Sequence, residues 1–176
     1  MMLGVVLAGG QSSRFGSDKA LALLDGESLL SHAVQALQCW CDAVVVVGRK
    51  QAPVPCLADW PRPGMGPLGG IAAALRHAAQ QGFDEVLTLG VDCAGLPADL
   101  PALLGPAPAY VASQPVIGRW PASAASAVEA ILQGQGKHSL RALAGRLGAR
   151  AVELPQAPAN INTPADLAAL VQRQED

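Results

Sequence analysis

From Leu7 to Ala20 the chain reads Leu-Ala-Gly-Gly-Gln-Ser-Ser-Arg-Phe-Gly-Ser-Asp-Lys-Ala. Three glycines, Gly9, Gly10 and Gly16, stand here with two cations, Arg14 and Lys19. Glycine lets a backbone wrap closely round an anion and turn its N–H groups toward phosphate oxygens. Arg14 and Lys19 carry the charge that such a loop needs. The spacing lacks the Gly-Lys-Ser/Thr of a P-loop and the G-x-G-x-x-G of a dinucleotide fold. Two readings stand: a phosphate cradle of another kind, or a glycine- and serine-rich surface loop with two solvated cations.

Three further places have the chemistry to act with that loop. Asp92 follows the run Val86-Leu87-Thr88-Leu89-Gly90-Val91. A carboxylate there could hold Mg²⁺ against a phosphate, since magnesium takes one or two carboxylates and fills its shell with phosphate and water. It could equally start the turn Asp92-Cys93-Ala94-Gly95 and satisfy loose N–H groups. Gly64-Met65-Gly66-Pro67-Leu68-Gly69-Gly70 leads into a helical pattern and can offer N–H groups to an anion or a base edge. Asp59, in the same loop, could accept hydrogen bonds from a nucleobase or simply be solvated. Asn160 and Asn162 precede Thr163-Pro164, where asparagines order a turn or cap a helix as readily as they bind a ligand. Lys137, His138 and Arg141 read as a solvated loop and helix start.

These residues depend on the elements that carry them. Leu3–Leu7, Ala43–Val47 and Glu85–Gly90 are apolar, β-branched or both, as strands buried on two faces must be. Helical spacing covers Ser28–Gln38 and Leu68–Gln81, with Pro67 suited to a first turn. Pro53, Pro55, Pro61 and Pro63 mark the segment from Pro53 to Gly66 as loop. Beyond Asp92 come a short helix over Pro97–Leu104, β-like runs at Ala109–Ala112 and Pro115–Trp120, and helices over Ala122–Leu132 and Ser139–Leu147. A strand over Ala149–Leu154 and a helix opened by Thr163 as N-cap, Pro164 and Asp166 complete the order. Strands alternating with helices predict a mostly parallel sheet covered on both faces. Ligands of such sheets bind beyond the carboxyl ends of the strands. That rule selects the loops after Leu7 and Val47, and Asp92.

Composition excludes several classes. A chain of 176 residues, 51% hydrophobic and 15% charged, is expected to form one domain over 1–176 with a substantial core. The net charge of −2 gives no electrostatic footprint for nucleic acid or an anionic membrane. No apolar run is long enough to span a bilayer, and a basic leader is lacking, so a cytoplasmic location is expected. The cysteines, Cys39, Cys41, Cys56 and Cys93, and the histidines, His32, His77 and His138, fit no zinc spacing. Free, mostly buried thiols follow. Aromatic content of 3% offers no clear patch for an interface, and a monomer is expected.

Taken in order, Leu7-Ala8-Gly9-Gly10-x-Ser12-x-Arg14-x-Gly16-x-Asp18-Lys19, Gly66-Pro67-Leu68-x-Gly70, Asp92 and Asn160-x-Asn162-Thr163-Pro164 resemble the molybdenum cofactor guanylyltransferase family. The resemblance runs over essentially the whole chain. It implies a Rossmann-like three-layer α/β/α fold of the nucleotide-diphospho-sugar transferase kind. It also implies a Mg²⁺-dependent transfer of GMP from GTP to molybdopterin carrying molybdenum, with release of pyrophosphate. By the same resemblance Leu7, Ala8, Gly9 and Gly10 contact the nucleotide, and Lys19 and Arg14 neutralise its triphosphate. Asp59 matches the carboxylate near guanine and Asp92 the Mg²⁺ ligand. Asn160 and Asn162 match the molybdopterin side. Molybdoenzymes or a delivery chaperone are the protein partners it implies.

The chain departs from the family pattern at four places. Val47-Gly48-Arg49 stands where an asparagine is usual, Val91-Asp92-Cys93-Ala94 replaces Cys-Asp-Thr-Pro, and Gln114-Pro115 replaces His-Pro. The hairpin before Gln114 is short, with Ser113 running straight into it. Two alternatives follow: a cytidylyltransferase or another small nucleotidyltransferase, and a non-catalytic nucleotide-binding partner in cofactor delivery. The cytidylyl enzymes of this group typically show Leu-Ala-Ala-Gly, so Gly9 favours GTP.

Overall fold

The apolar N-terminal run forms β1, Met2–Leu7, and takes an interior place in a seven-stranded sheet. The computed structural model describes residues 1–10 and 16–175. After β1 come a 3-10 turn at Lys19–Leu21, a small hairpin of β2 (Leu23–Leu24) and β3 (Glu27–Ser28), and helix α1, Leu29–Gln38. Then follow β4 (Ala43–Val47), β5 (Cys56–Leu57), α2 (Gly66–Gln81), β6 (Glu85–Gly90), β7 (Cys93–Ala94) and α3 (Leu100–Leu104). The last part contains β8 (Ala109–Val111), β9 (Gln114–Pro121), α4 (Ala125–Gln133) and α5 (Leu140–Leu147). It ends with β10 (Arg150–Val152), β11 (Ala159–Asn160) and α6 (Pro164–Glu175).

Strand order in the main sheet is β10-β8-β9-β6-β1-β4-β5. Every pairing in it is parallel except the two made by β9. The expected three layers, with a mostly parallel sheet between helices, are what the chain forms. Alternate residues explain the layering, because successive strand side chains leave opposite faces. Leu3, Val5, Val45, Val47 and Val86 pack with α2, α4 and α5, whereas Val6, Val44, Val46, Leu87 and Leu89 pack with α1 and α3. Each such fully buried aliphatic side chain contributes about 1.5–3 kcal/mol relative to exposure. The chain leaves β1 for α1 on one face and leaves β4 and β5 for α2 on the other. A crevice therefore opens beyond the carboxyl ends of these strands, at the point where the winding reverses.

Among the described residues Thr88 is the polar residue buried in this core. Its hydroxyl donates to the Val116 carbonyl at 2.7 Å and accepts from the Trp120 indole N–H at 3.2 Å. Valine at 88 would match the shape and strand both partners. Thr88→Val should therefore lower stability by about 2–4 kcal/mol, the cost of one or two unsatisfied buried groups. Denaturant unfolding measures it, and a loss within about 0.5 kcal/mol would show the two bonds to be dispensable.

The sequence-based boundaries shift in instructive ways. The helix expected over Ala122–Leu132 starts as a 3-10 turn, Ala122–Ala124, before α4. The strand expected over Ala149–Leu154 shortens to β10 and the helix over Pro97–Leu104 to α3. At the last helix the expected cap is present: the Asp166 carboxylate accepts from Thr163 N at 2.8 Å, and the Thr163 hydroxyl accepts from Asp166 N at 3.2 Å. The four cysteines are free, but Cys39 is exposed and the other three are half-buried. Cys39 lies at the end of α1, past its last buried residue, Leu37. Among the described residues no helix is long and apolar enough to cross a membrane.

Candidate active site

A cleft of about 740 Å³ opens at the carboxyl ends of β1, β4 and β6. Leu7, Ala8, Gly9 and Gly10 form one wall, Lys19 and Asp92 another, and Gly48 and Arg49 contribute from β4. The strands fix this grouping. Ala8 N donates to the Val47 carbonyl at 3.0 Å, which extends the β1–β4 ladder one residue into the glycine-rich loop. The two loops then touch at Gly9 and Gly48. Gly48 has φ +88°, and a Cβ on it would lie 2.5 Å from Gly9 Cα. Only glycine allows both the left-handed backbone and that approach.

Lys19 Nζ lies 3.4 Å from Asp92 Oδ2, with the side chains 17% and 26% exposed. A pair so far out of water, on the rim of a cleft, is held by the fold and still open to a ligand. Asp92 owes its pose to a second close approach. A Cβ on Gly90 would come within 2.4 Å of Asp92 Oδ1, so the carboxylate turns back over the strand end into space that a side chain would fill. The Asp92 carbonyl accepts from Ile161 N at 2.9 Å, and Cys93 pairs with Asn160 in a two-residue antiparallel ladder. Asp92 and Asn160 are thus fastened together across 68 positions of sequence.

Asp92 also lines a second cleft, of about 520 Å³, with Asn160, Gln114, Pro67, His138 and Arg141. Burial, reinforced by the Asp92 charge, pushes the Cys93 thiol up to about 12, which keeps it a neutral donor. It donates to Gln114 Oε1 at 3.3 Å, while Gln114 Nε2 donates to the Pro158 carbonyl at 2.8 Å. The amide at the His-Pro position thereby ties the hairpin to the segment before β11. His138, expected to be solvated, is exposed yet borders this cleft, as does Arg141.

The other sequence-based expectations are distributed as follows. Arg14 lies outside the described residues. Asp59 stands past β5 on the same sheet edge but does not line either cleft. Burial raises its carboxyl above the usual range, against the Gly64 N–H that it accepts. Asn162 is half-buried, and its N–H donates to Asp166 Oδ2 at 2.9 Å, so its backbone belongs to the cap of α6. Arg49 grips the Asp18 carboxylate through Nη1 at 2.9 Å and Nη2 at 2.8 Å. An arginine directly after a strand-ending glycine was the available signal, but nothing local names a partner 31 residues away.

An open α/β sheet with a glycine-rich loop, a lysine and a carboxylate converging at its winding reversal suits a protein that handles nucleotide phosphates. Residues 4–153 match the MobA-like NTP transferase domain, and the chain belongs to that family. It is 38% identical over 177 residues to a molybdenum cofactor guanylyltransferase of Acidiphilium cryptum, covering 93% of this chain and 90% of that one. It is 40% identical over 186 residues to the protein of the same name from Rhizobium leguminosarum bv. trifolii, covering 94% and 89%. In fold it is similar to molybdopterin-guanine dinucleotide biosynthesis protein A from Archaeoglobus fulgidus, with a TM-score of 0.79, 22% identity and 99% of each chain covered.

Proposed function

We propose that this protein transfers GMP from GTP to molybdopterin carrying molybdenum, giving molybdopterin guanine dinucleotide and pyrophosphate. The observation that carries the reading is the shared wall of the two clefts. Asp92 lines both, with the glycine-rich loop and Lys19 on one side and Asn160 on the other. A reaction that joins two polyanions needs two adjoining sites with charge at their junction. The guanylyltransferase names of relatives at 38–40% identity support the choice of nucleotide and acceptor.

The chemistry suits the residues present. A terminal phosphate oxygen of the acceptor attacks the α-phosphorus of GTP as the bond to the β-phosphate oxygen breaks. The electron pair leaves with pyrophosphate. Because the attacking phosphate is already anionic, no proton has to be removed first, and no general base is needed. What the protein supplies is positioning and charge. Backbone groups of Ala8, Gly9 and Gly10 hold the nucleotide, aided by Leu7, and Lys19 neutralises its phosphates together with Arg14. Asp59 is assigned to the guanine side, and Asn160 and Asn162 to the acceptor.

Asp92 fits a magnesium ion. One half-buried carboxylate at the junction of two phosphate sites is what that ion takes from a protein, with phosphate and water completing its shell. Among the described residues no cluster of three or more His, Cys, Asp or Glu offers an all-protein cage instead. When bound, the ion supplies positive charge to the phosphate oxygens. A monomer as the working unit and a cytoplasmic location complete the reading.

Isothermal titration with GTP and with CTP, each in the presence of magnesium, tests the nucleotide. GTP should bind at least about tenfold more tightly, as expected where base edges are read by hydrogen bonds. Tighter binding of CTP overturns the guanylyl reading in favour of the cytidylyl one. Pyrophosphate release on adding the acceptor tests the transfer itself.

A further inference from the structure

The glycine-rich loop leaves the sheet at Gly10 and the chain is described again from Gly16. On the near side it is pinned by β1–β4 backbone contacts at Ala8 and Gly9. On the far side, the pin is Arg49. Its guanidinium makes both of its side-chain bonds to the Asp18 carboxylate, and its Nε–H is buried without an acceptor among the described residues. The arginine is the better buried partner, 18% exposed against 45% for the aspartate. It is therefore the fixed member, and Asp18 is held to it. Asp18 in turn caps the 3-10 turn that begins at Lys19, its carboxylate accepting from Ala20 N at 3.3 Å.

We propose that Arg49 is a positioning residue that acts through Asp18 to set Lys19 at the nucleotide phosphates. The two-pronged grip fixes the residue immediately before Lys19, and the cap fixes the backbone immediately after it. From that fixed root Lys19 extends toward Asp92 across the cleft. A lysine side chain has about 2 kcal/mol of rotamer entropy to lose on being fixed, and a backbone held on both sides of it keeps its root from adding to that loss. The planar fork of arginine matches a carboxylate in a way that a lysine cannot. This also gives the Gly48-Arg49 pair one purpose: Gly48 admits the close approach to Gly9, and Arg49 uses the resulting proximity to reach Asp18.

The inference rests on the reading of the first cleft as the GTP site. Its test is a set of GTP titrations without acceptor, on Arg49→Ala, Arg49→Lys, Asp18→Asn and Lys19→Ala, with thermal unfolding of each. Arg49→Ala should weaken GTP binding about tenfold in the wild-type background and less than about twofold when combined with Lys19→Ala, the signature of two residues acting as one unit. Asp18→Asn should match Arg49→Ala, and the two together should be no worse than either alone. Arg49→Lys, which keeps the charge and loses the fork, should resemble Arg49→Ala; it also serves if the alanine variant fails to fold. An equal loss with and without Lys19, or full affinity in Asp18→Asn or in Arg49→Lys, would mean that Arg49 meets the nucleotide directly or not at all, and overturns the proposal. Failure of the wild-type protein to bind GTP overturns the guanylyl reading itself, and the proposal with it.

Discussion

Replacing Asp92 with alanine should lower kcat/KM for GMP transfer by roughly a thousandfold, while the protein stays folded. Loss of a single preorganised electrostatic group in an enclosed site costs roughly 10²–10³ in rate. Asp92 serves in two places at once. Its carboxylate holds Lys19 and faces both clefts, so alanine releases the lysine and removes the negative charge at the junction. Asparagine is the informative companion. It keeps the shape above Gly90, where a Cβ would lie 2.4 Å from Oδ1, and loses only the charge. If charge is what matters, Asp92→Asn should be nearly as slow as Asp92→Ala. Stability should change by less than about 1 kcal/mol in both, as for other partly exposed ion pairs. Pyrophosphate release measures the first effect and thermal unfolding the second. Turnover at the wild-type rate in Asp92→Asn would remove the carboxylate from the mechanism.

That Asp92 could be singled out at all shows which parts of this molecule were legible in its sequence. β1, β4 and β6 announce themselves because a strand buried on both faces must be apolar throughout, and their order predicts where their ends meet. The pairs made by two residues each were not legible. β5 hides among four prolines, and β7 and β11 lie 65 residues apart. Such short ladders have no period to detect and exist because the larger sheet brings them together. The site divided along the same line. Gly9, Lys19 and Asp92 sit directly after strands or in a dense local motif. Gln114 reaching Cys93, and Arg49 reaching Asp18, are contacts across 21 and 31 residues. Side-chain pairs of that kind are set by tertiary geometry, and the residue types alone leave their partners open.

The second large effect is expected where there is no side chain. Gly48→Ala should destabilise the protein by about 2–5 kcal/mol, from left-handed strain and overpacking together. The left-handed φ of +88° is one source, since L-residues meet their own carbonyl there. The other is the Cβ itself, 2.5 Å from Gly9 Cα and 2.6 Å from Gly9 N, against backbone that has no rotamer to change. Relief requires the β4 loop to move away from the β1 loop, which carries Arg49 off Asp18 and opens the wall of the first cleft. GTP affinity should therefore fall more than tenfold in whatever fraction still folds, by the logic that a small misplacement of a binding group is costly. Gly9→Ala is the control on the other side of the same contact. A Cβ there would sit 3.4 Å from Gly48 Cα, an ordinary van der Waals distance. It should unfold within about 1 kcal/mol of wild type, as a substitution that meets no obstruction does. Because alanine is the residue that cytidylyl enzymes show at this place, the ratio of GTP to CTP affinity in Gly9→Ala then reads the base preference free of any change in fold. A Gly48→Ala protein with wild-type unfolding and wild-type GTP affinity would mean that the two loops need not touch for the cleft to form.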